Sequence, residues 1–161
     1  DLSAGGRPFT VHAGPYSLGC DVTAPLVAAA TPAELEAAEL EGRVALLRGE
    51  LTREQLMPKN FPYYNPDAHR RLIALLERKQ PAAILAVTDR NPEMVGAQYP
   101  YPLIEDGDFD IPNAFMTAEE GAALAWLTTQ TERSALRIQF GQALFDRFAR
   151  HSSNLLFRSF A

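Results

Sequence analysis

Residues 42–89 read GRVALLRGELTREQLMPKNFPYYNPDAHRRLIALLERKQPAAILAVTD. Two short apolar runs, Val44 to Leu47 and Ala83 to Val87, bracket one amphipathic segment. Each run is almost continuously apolar, which predicts a strand buried on both faces rather than one half-exposed. Between them, Asn65-Pro66 opens a helix, with Asn as the N-cap and Pro in the first turn. Ala68, Leu72, Ile73, Leu75 and Leu76 share one helical face, with Arg70, Arg71, Glu77 and Arg78 largely opposite. The helix stops at Gln80, because the residue before Pro81 is pushed out of the α region. Strand, helix and strand in so few residues make a crossover unit, which predicts parallel strands joined right-handedly.

Towards the N-terminus, residues 1–8 hold two glycines and a proline before a first strand expected at Phe9 to His12. Val22 to Ala30 reads as a strand in which Pro25 marks an edge or a bulge. Thr31-Pro32-Ala33-Glu34 is a capping box with proline at the first helical position, so a short helix follows. Glu50 to Leu56 suits another helical turn. Towards the C-terminus, Asn113 to Met116 is a short strand, and Thr117-Ala118-Glu119-Glu120 opens a second main helix with Ala122, Leu124, Ala125 and Leu127 on its apolar face. Ser134 to Phe140 alternates as a strand does. Residues 143–150 fit strand or helix, and 155–157 a last strand.

A chain of 161 residues is the size of one domain and buries about two-thirds of its unfolded surface. Hydrophobic residues at 47% and charged residues at 22% are ordinary for a globular protein. A net charge of −5 argues against nucleic acid and against anionic membrane surfaces. No apolar run approaches the ~20 residues that span a bilayer. The single Cys20 makes no internal disulfide. The chain starts at Asp1 without a basic stretch leading into an apolar one, so any signal peptide is already removed or the chain is a piece of a longer protein. The second reading is preferred.

Catalytic and metal signatures are weak. His12, His69 and His151 stand at no recognised ligand spacing, and Arg70 and Arg71 beside His69 repel a cation. Asp106, Asp108 and Asp110 begin like a calcium loop, but Ile111 and Thr117 occupy the positions that need glycine and glutamate. Gly14-Pro15-Tyr16-Ser17-Leu18-Gly19 misses the nucleophile elbow by one residue. Cys20 has no neighbouring base to activate it, and no glycine-rich phosphate loop follows a strand. Two long loops stand out instead. Met57 to Asn65 carries two prolines with Phe61, Tyr63 and Tyr64, and 89–102 carries Tyr99-Pro100 and Tyr101-Pro102. Aromatics dominate contact energies, so Phe61, Tyr63, Tyr64, Asn65, Tyr99 and Tyr101 are the candidate contact residues. The opposing reading folds Phe61, Tyr63 and Tyr64 back over the helix as core.

The order of these pieces resembles the protease-associated (PA) domain of bacterial zinc-dependent aminopeptidases. The resemblance is carried by Gly42-Arg43-Val44-Ala45-Leu46-Leu47, then Arg48-Gly49, the helix from Asp67 to Lys79, and Pro81-Ala82-Ala83-Ile84-Leu85-Ala86-Val87. Ile111-Pro112-Asn113-Ala114-Phe115-Met116-Thr117 with Glu119-Glu120-Gly121 continues it, over residues 22–158 in all.

The resemblance implies an α+β fold: a β-sandwich or open barrel of about seven strands, flanked by two main helices, with one strand-helix-strand crossover. It implies a single domain over 1–161 excised from a longer peptidase, with 1–8 and 159–161 as terminal extensions. Such domains are non-catalytic, so neither a catalytic residue nor a metal or other cofactor is expected in this chain, and zinc belongs to the parent's catalytic domain. The peptidases use a Glu-Glu pair at their metal, but Glu119-Glu120 lies at a helix start and reads as capping. The implied function is accessory: a lid, substrate-admitting or protein-contact domain of an exported, periplasmic or extracellular, zinc aminopeptidase. Its partners would be the parent's catalytic domain or a peptide substrate, with no nucleic acid and no membrane. Alternatives are a free-standing peptide- or protein-binding module, or the non-catalytic part of a complete zinc metallopeptidase. Insertion in a host also implies that Phe9 to His12 and 154–157 lie together at one edge.

Overall fold

Both apolar runs of the 42–89 stretch form strands, and every residue of Val44–Leu47 and of Ala83–Thr88 is buried. The computed structural model describes residues 1–14, 17–59, 61–88, 109–130 and 135–140. In chain order these hold β1 (Leu2–Ala4), β2 (Arg7–Phe9), β3 (His12–Ala13), β4 (Cys20–Ala29), α1 (Pro32–Ala37), β5 (Val44–Leu47), a 3-10 turn (Gly49–Thr52), α2 (Asp67–Lys79), β6 (Ala83–Thr88), β7 (Asn113–Thr117), α3 (Ala118–Gln130) and β8 (Ala135–Phe140). The class is mixed α+β, as expected. The segment 143–150, expected as strand or helix, and the strand expected at 155–157 lie outside the described residues.

The strands run in the order β2-β1-β8-β4-β5-β6-β7-β3. β4, β5, β6 and β7 are mutually parallel, so the expected β5–α2–β6 crossover is one of three parallel steps. The remaining pairs are antiparallel. β4 belongs to both halves: Cys20–Pro25 pair with Phe140–Ala135 of β8, and Leu26–Ala29 pair with Val44–Leu47 of β5. Pro25 therefore sits in an interior strand, not at an edge. It occupies the residue where the strand changes neighbour, so its missing N–H interrupts neither ladder midway.

The start of the chain also departs from expectation. Residues 2–9 form a hairpin rather than an extension, with Leu2 opposite Phe9 and Ala4 opposite Arg7. Gly5 and Gly6 both have positive φ (56° and 80°), which a tight two-residue hairpin turn requires. β1 then pairs with β8, and Leu2 and Ala4 are buried.

Alternating residues of the parallel strands feed two cores, one on each face. Ala45, Leu47, Ile84, Ala86 and Phe115 face α1, α2 and the 3-10 turn, meeting Leu35, Leu51, Leu56, Ile73, Leu75 and Leu76. Val44, Leu46, Leu85, Val87 and Met116 face α3 and the antiparallel strands, meeting Leu2, Phe9, Ala24, Leu124 and Ile138. The continuous apolar pattern of β5 and β6 follows from this two-sided burial.

The helix signals hold in part. Thr31 caps α1 by accepting from the Glu34 N–H at 3.2 Å, and Glu34 Oε2 accepts from the Ala30 N–H at 2.7 Å. Thr31→Ala removes that acceptor and is expected to cost about 1 kcal/mol in chemical denaturation. In α2 the N-cap is Pro66, and Gln80 closes the helix in the left-handed region (φ 47°) with its N–H on Leu76 O. Ala68 is exposed, and His69 takes its place on the inner stripe with Leu72, Ile73 and Leu76. In α3 the Glu120 N–H donates to Thr117 Oγ1 at 3.3 Å, as the capping reading requires. Ala122 is exposed; its neighbour Gly121 is buried, turned onto Val87 of β6.

Candidate functional site

The Met57–Asn65 loop leads into α2 and is tied down at several points by it and by its own residues. The Met57 N–H donates to His69 Nδ1 at 3.2 Å. Lys59 Nζ pairs with Glu77 Oε1 at 2.8 Å, both half-buried. The Phe61 N–H donates to Pro58 O at 3.0 Å, closing a turn. Asn65, expected as a helix cap, instead turns inward: its Nδ2 donates to Lys59 O at 2.7 Å and to Pro58 O at 3.2 Å. Asparagine suits this position because one amide nitrogen carries two donors. Asn65 Oδ1 is buried without a hydrogen-bond partner.

Held this way, the loop turns its rings outward. Phe61 is 41% exposed, Tyr63 90% and Tyr64 64%. Phe61 and Tyr63 meet edge to face with centroids 6.1 Å apart. The rings do not fold over α2 as core. The nearby charges are neutralised locally: Lys59 by Glu77, and Arg70 by Asp67. Exposed rings of this kind are suited to contact with another apolar surface. Beside the loop lies a cleft of about 220 Å³, floored by Leu51, Leu56 and Leu72 and rimmed by Glu50, Arg53, Glu54 and His69.

Of the six candidate contact residues, the structure brings Phe61, Tyr63, Tyr64 and Asn65 together; Tyr99 and Tyr101 lie outside the described residues. His69, Lys59 and Glu77 were not singled out as parts of this site. The signal for His69 was present, because it precedes Leu72, Ile73 and Leu76 by three, four and seven residues. Lys59 and Glu77 carry no such signal, since their pairing spans 18 residues.

The other candidates serve the fold. His12 stacks on Phe115 with centroids 5.8 Å apart. Ser17 is buried, its Oγ donating to Leu18 O and accepting from the Asn113 N–H. Glu120 Oε1 accepts from the Thr10 N–H at 3.4 Å, and Glu119 and Asp110 are exposed. Asp106, Asp108 and His151 lie outside the described residues. Among the described residues no three of His, Cys, Asp and Glu gather as a metal site, and no helix is long and apolar enough to cross a membrane.

No protein family and no curated protein sequence matches the chain. Solved structures do. An aminopeptidase from Aneurinibacillus sp. strain AM-1 superposes with a TM-score of 0.58 at 20% identity, covering 88% of this chain and 30% of that one. A peptidase M28 precursor from Shewanella amazonensis SB2B gives 0.54 at 15% identity, covering 87% of this chain and 33% of that one. The chain spans about a third of the length of either protein, and its fold is that of one part of each.

Proposed function

We propose that this chain is a non-catalytic accessory domain of the PA type, belonging to an exported zinc aminopeptidase. The supporting observation is the pairing of 88% coverage of this chain with 30% coverage of an aminopeptidase. A segment of that share, with no metal-ligand cluster among its described residues, is suited to admitting or orienting substrate beside a catalytic domain. The Phe61, Tyr63 and Tyr64 rings are its contact surface, meeting the catalytic domain or a peptide substrate. Zinc and the hydrolytic step belong to the catalytic domain, and export follows from the family resemblance alone.

The purified 161-residue chain is expected to retain no stoichiometric zinc after dialysis and to release no product from aminoacyl-nitroanilide substrates. Metal analysis and a chromogenic assay check this. One zinc per chain, with chelator-sensitive hydrolysis, would overturn the proposal.

A further inference from the structure

We propose that His69 is a proton-sensitive latch on the root of the aromatic loop: protonation of Nδ1 releases the Met57 amide and loosens the backbone at Met57, where the loop begins. The latch deepens the contact reading and takes its functional meaning from it, while its mechanism lies wholly within this chain.

The Met57 N–H donates to His69 Nδ1 at 3.2 Å, and a ring nitrogen accepts only while it carries no proton. An imidazolium has N–H on both nitrogens, so ring and amide would then present donors to each other. One of them must turn away. The ring is only 12% exposed, so water cannot separate the two groups without movement. Glu54 supplies the direction: its Oε2 lies 3.7 Å from Nε2, and its side chain, 67% exposed, is free to follow a turning ring.

The other charged groups facing this cleft are Glu50 and Arg53, from the 3-10 turn and the residues after it. On α2 itself Arg70 is engaged by Asp67, and Arg71 is exposed. The remaining ties of the loop, Lys59 to Glu77 and Asn65 to two carbonyls, contain no histidine. Release at Met57 therefore frees the root of the loop ahead of Pro58 and leaves the ties at Pro58, Lys59 and Asn65 in place. The tie at Met57 is made when His69 is neutral and broken when it is charged.

Amide exchange of Met57 in the 161-residue chain, corrected for intrinsic rates and measured alongside the His69 ring resonances, tests the latch. Protection at Met57 is expected to fall about tenfold as His69 takes its proton, the scale of one lost hydrogen bond. His69→Asn places a non-titrating carbonyl oxygen near the Nδ1 position and should keep Met57 protected across the range. Unchanged protection while the ring titrates would overturn the proposal, and so would a ring that stays neutral down to about pH 5. A working latch in a chain whose rings affect no partner would leave the latch standing and remove the contact reading instead.

Discussion

Gly121→Ala lowers the melting temperature by about 4–8 °C. A Cβ at position 121 would lie 2.4 Å from Val87 Cγ2 and 2.6 Å from Cγ1. Neither partner has room to give way, since Val87 is in β6 and buried in the core between the sheet and α3. Overpacking of this kind costs about 1–3 kcal/mol, and alanine's better helix propensity returns at most about 1 kcal/mol. A net loss of about 2 kcal/mol corresponds to that shift for a chain of this size. Val87→Ala removes both offending methyl groups, so the double variant should be more stable than the two single effects added together. Coupling of about 1 kcal/mol or more in a double-mutant cycle confirms the contact. A Gly121→Ala protein that melts with the parent chain would show that α3 does not approach β6 so closely.

Replacing Phe61, Tyr63 and Tyr64 together with alanine separates contact from core. The rings are exposed at 41%, 90% and 64%, so their loss should change the stability of the 161-residue chain by less than about 1 kcal/mol. In the peptidase to which the chain is proposed to belong, the same change should be costly. Each ring buried on contact contributes roughly 1–3 kcal/mol, so affinity for the partner surface should fall tenfold or more. The loop is already tied through Asn65, Lys59 and His69, so presenting the rings costs little further ordering. Thermal melts of the isolated chain and steady-state kinetics of the peptidase are the two measurements. A destabilised chain with unchanged kinetics would return the rings to a purely structural role.

The sequence made the parallel half of this fold readable because two-sided burial leaves an unbroken apolar run, as in Val44–Leu47 and Ala83–Val87. Helix starts were readable where the cap is local: Thr31 with Glu34, and Thr117 with Glu120. The antiparallel half was harder. β1 is three residues long and gains its burial from β8, more than 130 residues away, which no local pattern records. The Gly5-Gly6 hairpin signal was legible, and its flanking strands were too short to support it. At the site, the exposed aromatics followed from composition. Asn65 was misassigned because an Asn-Pro pair before a helix usually caps it, and here its amide reaches back to Pro58 and Lys59.

The shared strand β4 has a consequence for synthesis. Translation places Cys20–Pro25 in the nascent chain long before Ala135–Phe140, its neighbours in the finished sheet. Until β8 arrives, that half of β4 is an open edge, the kind of surface on which unfinished chains join one another. The other half is closed early by β5, which follows within 20 residues. The composition of the late-closing half meets this hazard. Asp21 and Thr23 face solvent, and Pro25 withholds a donor at the last residue before the early-paired segment begins. A charge and a missing donor on an edge that closes late disfavour its pairing with a second chain in the place reserved for β8.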